Sequence, residues 1–200
     1  MLNETQQEGT CSSPVLSTPS TPKTNILLHL SGSIACFKAC TLTSLLVKEG
    51  YNVQITTSEA ALKFIGVASL EGISGRRVIT DFFGGTPDPT PHITLSQRWA
   101  HLILAYPASA NLLNRLASGL CDDLFGAICL ANNFHVPLWL APAMNSDMYA
   151  HPAVRASIQR LESWGAVVLP TEEGRLACGT IGEGRLLAPE NVMALLKKAM

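Results

Sequence analysis

The chain has 200 residues, of which 47% are hydrophobic and only 14% charged, with a formal net charge of -1. That length suits one domain with a sizeable core. The near-neutral balance, with no Lys/Arg cluster beyond a pair, argues against a partner such as nucleic acid or an anionic membrane surface. Residues 1 to about 24 are rich in Ser, Thr, Pro and Gln and read as a disordered tail. Glu4 and Glu8, with no apolar stretch beside them, argue against a secretory signal.

From there the predicted elements follow in order. Asn25 to Leu30 (NILLHL) has the pattern of a doubly buried strand and runs into Ser31-Gly32-Ser33. A helix is expected next, with Ile34, Phe37, Leu42, Leu45 and Leu46 on one face and Gly50 at its end. Val53 and Ile55 mark a second strand, which leads through Thr57 and Ser58 into a short helix. Residues 81 to 92 hold three prolines and two glycines and are expected to be irregular. HLILAYP (101–107) reads as a third strand, passing into a helix closed by Gly119. Residues 122–133 read as a helix, Pro137 to Pro142 as a strand, and 153–164 as a helix. A last strand is expected at Ala166 to Leu169, and a C-terminal helix from about Pro189. The apolar runs are of strand length, far below the ~20 residues that span a bilayer.

Strands alternating with helices, each strand short and apolar throughout, predict an α/β fold: a Rossmann-like, flavodoxin-like parallel sheet with helices on both faces, in a single domain over 25–200. Such sheets bind ligands at the carboxyl ends of their strands, where the strand order switches. The six cysteines (Cys11, Cys36, Cys40, Cys121, Cys129 and Cys178) show no CxxC pair and no metal-site spacing. They read as free thiols of a reducing cytoplasm, and Cys36, Cys40, Cys121 and Cys129 as core residues of predicted helices. His29 and His135 read as structural.

The loop SGSIACFK sits where dinucleotide folds carry GxGxxG but matches it poorly, and Thr56, Thr57 and Ser58 stand where such folds place an acidic residue. Small hydroxyl residues at two helix starts suit a single phosphate held by backbone N–H groups and a helix N-terminus, hence a mononucleotide rather than NAD. Ser33 and Ser58 read equally well as helix caps. PASAN (107–111) and PAMN (142–145) follow the third and fourth strands in the same way. Asn111 and Asn145 are open to the same capping alternative, but two such turns at neighbouring strand ends favour a shared pocket.

SGSIA, the His92-Ile93 pair ahead of Trp99-Ala100, PASAN with GLCDD, PAMNSDMY, and RLACGTIGEGRL occur in this order. The set resembles the family of flavin-containing cysteine decarboxylases over roughly residues 25–190. The resemblance implies flavin mononucleotide as cofactor, with Gly32, Ser33, Ile34 and Ala35 at its phosphate end and Thr56 and Ser58 near it. It places Ser109, Ala110, Asn111 and Ala143 at the flavin, Asn145 on the substrate carboxylate, and His92 and Cys178 in catalysis. Residues 172–186 match a flap that closes over substrate, with Arg175 implied as a contact to it.

The chemistry explains these residue types. Loss of CO2 from a cysteine-derived carboxylate leaves a carbanion without an electron sink. Oxidation of CH2–SH by flavin gives a C=S group that accepts the electrons. In the branch serving coenzyme A synthesis, a hydride is then returned and an acid, the role assigned to Cys178, supplies the proton. Cys178 in ACG, and PAMN rather than PNMN, favour that branch and its substrate 4'-phospho-N-pantothenoylcysteine. The alternatives are oxidative decarboxylation of a peptide's C-terminal cysteine and a flavin-binding regulatory subunit, against which the Ser/Thr/Pro tail argues. The resemblance further implies a homotrimer or a multiple of it, in which sites draw on two chains. Many bacterial relatives fuse this domain to a ligase; that activity is not expected here.

Some positions depart from the family pattern. Asp123 stands where Asn is common, His101 where Asp is common, Tyr149 for Trp, and Leu186 for Met. The segment between His92 and Ser109 is one residue longer than the family pattern.

Overall fold

The computed structural model describes residues 24–83, 87–175, 179 and 181–199. The expected tail up to residue 23, and Cys178, lie outside the described residues. Five parallel strands form one sheet: β1 (Asn25–Leu30), β2 (Asn52–Thr57), β3 (Leu102–Ala108), β4 (Leu138–Pro142) and β5 (Val167–Val168). Their order is β2-β1-β3-β4-β5, parallel throughout. This is the flavodoxin-like order, whose switch point lies between β1 and β3.

Period-two alternation explains the apolar strands. Ile26, Leu28 and Leu30 of β1 enter one core layer with Leu102, Leu104 and Tyr106 of β3. There they meet α1 (Phe37–Lys48), α2 (Val67–Ser74) and α8 (Pro189–Ala199). Leu27 of β1 and Ile103 and Ala105 of β3 face the other way. They pack on α4 (Ala110–Ala117), α5 (Leu124–Asn132) and α7 (Pro152–Trp164). Both faces of each central strand are therefore dry, which is why no polar alternation is seen in their sequences.

The expected α1 face is corrected at its start. Leu42 and Leu46 are fully buried, but Ile34 is 59% exposed and Phe37 62% exposed. Ile34 belongs to a separate 3-10 turn, Ile34–Cys36, before α1, whose pitch takes it off the stripe; Phe37 opens α1 about half a turn around the helix from Leu46, at 3.6 residues per turn. Cys121 is exposed in the loop before α5 rather than in the core, whereas Cys36 is buried. The four described cysteines are free thiols.

Elements in three further places were not foreseen. α3 (Pro91–Ile93) passes directly into a π-helical stretch, Thr94–Trp99, started by a proline at its first turn. α6 (Ser146–Ala150) is capped by Asn145, whose Oδ1 accepts the Asp147 N–H at 2.8 Å. β6 (Glu172–Arg175) and β7 (Ile181–Arg185) form an antiparallel ribbon where a loop was expected. Among the described residues, no helix is long and apolar enough to cross a membrane.

The ribbon is docked by backbone contacts rather than by apolar side chains. Met144 N–H donates to Gly184 C=O at 3.0 Å, and Ser146 Oγ donates to Glu183 C=O at 2.8 Å. Gly184 has φ +104, and a Cβ there would fall 2.5 Å from Met144 O. The chain returning from β7 is held by Lys38 Nζ on Leu186 C=O (2.9 Å) and Tyr106 Oη on Leu187 C=O (2.7 Å). Burial, then Glu172 and Glu190, push the Tyr106 hydroxyl pKa well up, so it stays a donor.

Candidate active site

The carboxyl ends of β1, β2 and β3 open onto one cleft of about 560 Å³, at the switch point and of a size that suits a mononucleotide-sized ligand. Ser31 and Gly32 line it from the loop after β1, and Thr56, Thr57 and Ser58 from the end of β2. Ser109 and Asn111 line it from the start of α4.

Ser31 stitches two of these loops together. Its Oγ donates to Pro107 C=O at 2.7 Å and accepts the Ser109 N–H at 2.8 Å. Gly32 has no room for a side chain, since a Cβ would meet that of Ala60 at 2.5 Å. The close approach brings the loops after β1 and β2 together. Ser109 Oγ accepts the Leu112 N–H at 3.3 Å, and Ser58 Oγ the Ala61 N–H at 3.2 Å. The capping and the cleft-lining readings of these serines therefore hold at once.

The floor is aromatic. His29, only 2% exposed, stacks on Phe125 of α5 with ring centroids 3.8 Å apart and planes 7° from parallel. Its Nδ1 lies 3.0 Å from Thr56 Oγ1. Burial, with the nearby Arg115 charge, pushes the imidazole down to about 3, so it is neutral near pH 7. Thr57 is 3% exposed, and its hydroxyl is buried without a hydrogen-bond partner among the described residues.

Acidic residues stand at the mouth. Arg115 pairs with Asp122 and with Asp123, the latter at 3.0 Å. Asp123 also caps α5, accepting the Gly126 N–H at 2.7 Å. A carboxylate here is favoured by the helix N-terminus and by Arg115, which accounts for Asp in place of an amide.

Of the residues expected at the site, the cleft brings together Gly32, Thr56, Ser58, Ser109 and Asn111. Ser33 instead accepts the Ala35 N–H at 3.2 Å, and Ile34 points to solvent. Ala110 and Ala143 are buried; the Ala143 N–H donates to Ala108 C=O at 3.0 Å, behind the lining. Asn145 lies at the start of α6, beside the ribbon rather than on this cleft. Arg175 is the last residue of β6. His92 is the middle residue of α3, edge-on to the cleft residue Phe82 at 5.7 Å between centroids, with its Nδ1 buried and unpartnered among the described residues. Phe82 lines the cleft, whereas His92 touches Phe82 without lining the cleft itself.

Lining residues not foreseen include His29, Arg115 and Phe125. One signal for His29 was present: a polar residue inside a doubly buried strand needs a partner. Its parity in β1 points it to the α5 side.

A family model described as Flavoprotein matches residues 15–200. The coenzyme A biosynthesis bifunctional protein CoaBC of Bacillus subtilis (strain 168) is 43% identical over 175 residues, covering 87% of this chain and 42% of the relative. The protein of the same name from Mycobacterium tuberculosis (strain ATCC 25618 / H37Rv) is 39% identical over 170 residues, covering 85% and 40%. This chain thus spans about two fifths of the length of these curated relatives. Among solved structures, a cysteine-to-serine mutant of PPC decarboxylase complexed with pantothenoylaminoethenethiol has a TM-score of 0.80 at 31% identity, covering 88% of this chain and 97% of that one. The FMN-binding protein AtHal3 has a TM-score of 0.76 at 32% identity, covering 88% and 96%.

Proposed function

The chain belongs to the Flavoprotein family, and from that membership we propose that it binds FMN in the cleft and decarboxylates 4'-phospho-N-pantothenoylcysteine to 4'-phosphopantetheine, a step of coenzyme A synthesis. The observation that carries the reading is the cleft itself: hydroxyl-bearing loops from three strand ends meet at the sheet's switch point. The likeness to the PPC decarboxylase complex and to the CoaBC proteins supports it.

The residues present fit the cofactor. Ser31, Thr56, Ser58 and Asn111 give the cleft wall both donors and acceptors, which suits a polar, phosphate-bearing ligand. Ser31 and Ser58 line the loops, and α4 turns its N-terminus to the cleft, as phosphate binding requires. When bound, the flavin would supply an acceptor for the electron pair and would return it once CO2 has left.

This chain's residues do the remaining work. Ser109 and Asn111 border the cofactor, and Gly32 allows backbone to approach it. His92 orients the substrate carboxylate or moves a proton, work that imidazole suits near neutral pH. Asn145 holds the carboxylate, and Arg175 contacts substrate from the ribbon. Cys178, in the segment joining β6 and β7, supplies the final proton; its assignment rests on the ACG motif. The decarboxylase domain is assigned to residues 25–200, and the place of action to the cytoplasm.

We further infer a homotrimer or a multiple of it. His92 does not line its own chain's cleft, and Ile34 and Phe37 expose apolar surface beside the first cleft loop. A neighbouring copy covering that surface brings groups from two chains to one site.

The test is turnover. Purified protein loaded with FMN and given 4'-phospho-N-pantothenoylcysteine is expected to release CO2 and yield the saturated thiol. A flavin-loaded protein inert toward this substrate, but removing CO2 from a cysteine-ended peptide, establishes the peptide alternative instead. In Cys178→Ser, CO2 release persists while the product remains oxidised; a normal thiol product from that variant removes Cys178 from the mechanism.

A further inference from the structure

This inference rests on the decarboxylase reading above. We propose that Ser146 is a positioning residue for that reaction. Its hydroxyl fastens the β6–β7 ribbon onto the turn that holds the substrate carboxylate, and so keeps the oxidised sulfur compound in place until it is reduced.

The ribbon reaches the turn with bare backbone. Gly182 and Gly184 stand two residues apart in β7 and share one face of it. A Cβ at Gly182 would fall 2.5 Å from Ser146 Oγ, and one at Gly184 2.5 Å from Met144 O. Two hydrogen bonds close the seam: Ser146 Oγ donates to Glu183 C=O at 2.8 Å, and Met144 N–H to Gly184 C=O at 3.0 Å. They flank Asn145, whose own Oδ1 accepts the Asp147 N–H at 2.8 Å. The Met144 bond is backbone to backbone, whereas the Ser146 bond hangs on one side chain. The root of the ribbon is held separately. Lys38 Nζ donates to Leu186 C=O, and Glu172 Oε1 accepts from the Ala188 N–H at 2.8 Å and from Asn191 Nδ2 at 3.0 Å. Losing the Ser146 bond therefore loosens the ribbon over Asn145 and leaves its root attached. Among the described residues, neither the turn nor the ribbon lines the cleft, so flavin binding does not depend on the seam.

The chemistry makes retention a task of its own. On the proposed route the CH2–SH group gives up two electrons and two protons, CO2 leaves, and an ene-thiol remains. Adding back a hydride and a proton yields the saturated thiol. Between these events the carboxylate, the group assigned to Asn145, no longer exists. What still holds the compound on this side is the cover, and a cover fastened by two hydrogen bonds opens more often when one is lost. A compound that escapes early leaves its electron pair behind on the flavin, from which dioxygen removes it. Substrate and O2 then give ene-thiol, CO2 and H2O2.

The test uses the FMN-loaded full chain in air. Ser146→Ala removes the hydroxyl, and Ser146→Thr keeps it. Saturated thiol, ene-thiol and hydrogen peroxide are counted per CO2 released, and protease cleavage between 172 and 186 is timed without substrate. Ser146→Ala is expected to raise ene-thiol and peroxide per CO2 about fivefold, the factor for one neutral hydrogen bond. Cleavage should quicken by a similar factor, with FMN affinity within about twofold of wild type. Ser146→Thr should return both readouts toward wild type. An alanine variant with a wild-type product ratio overturns the proposal, whatever its cleavage rate or KM. So does a shifted ratio without faster cleavage, which separates product loss from the ribbon. A shift that threonine fails to recover assigns the effect to packing against Gly182 and overturns it too. Wild-type protein that binds FMN but releases no CO2 from 4'-phospho-N-pantothenoylcysteine fails the decarboxylase reading itself, a different result from an active wild type whose alanine variant matches it.

Discussion

At the residue scale, the most informative side chain is one that reads as structural in the sequence. A histidine inside β1 is surrounded by Leu27, Leu28 and Leu30, all fully buried, and nothing in that run indicates that its ring borders a cleft. Only the parity of the strand and the position of Phe125 on α5 decide it. Burial lowers its folded-state value to about 3, below the ordinary 6.5, so the folded protein resists protonation that the unfolded chain accepts. The stabilisation is complete above pH 6.5 and is lost as pH falls toward about 3. The slope approaches about 1.4 kcal/mol per pH unit for one proton. Denaturant unfolding of the flavin-free protein across pH 7 to 4 should therefore show a steeper acid loss in wild type than in His29→Leu. Equal slopes mean that the imidazole is not buried as described.

At the element scale, the strands and long helices were legible because each carries its own period, and the ribbon was not. β6 and β7 contain Glu172, Glu173, Gly174 and Arg175 against Gly182, Glu183, Gly184 and Arg185, with no apolar alternation to signal a strand. They exist because backbone groups of the turn after β4 and of the ribbon satisfy one another, as in Met144 N–H to Gly184 C=O. Gly184→Ala places a Cβ against Met144 O at a residue with φ +104, a conformation that costs a non-glycine residue about 1–2 kcal/mol before the clash is counted. The ribbon should undock while the cleft stays intact. The expected result is faster protease cleavage between 172 and 186 and at least a tenfold fall in turnover, with FMN affinity within twofold of wild type. A parallel loss of FMN would show that the ribbon and the cleft are one unit.

At the scale of the whole molecule, the sheet order brings loops far apart in sequence to one edge: Ser31 and Ser109 are 78 positions apart yet joined by a 2.8 Å hydrogen bond. The same packing leaves Ile34 and Phe37 outside, where a helical-face argument had put them inside. If these side chains lie between copies, Phe37→Glu should convert the assembly to a smaller species in sedimentation velocity and reduce turnover. A wild-type protein that sediments as a monomer at micromolar concentration, and is active, overturns the trimer.

The sequence by itself determined the alternation of strands and helices, the parallel sheet and the five ordered motifs that resemble those of the flavin-containing cysteine decarboxylases. These are properties of local period and of short segments, each readable without its neighbours. Tertiary structure alone decided the floor of the cleft, the pairing of Arg115 with Asp122 and Asp123, the docking of the ribbon and the outward turn of Ile34 and Phe37. Each of these depends on which groups from distant segments meet, and on whether a polar atom finds a partner there.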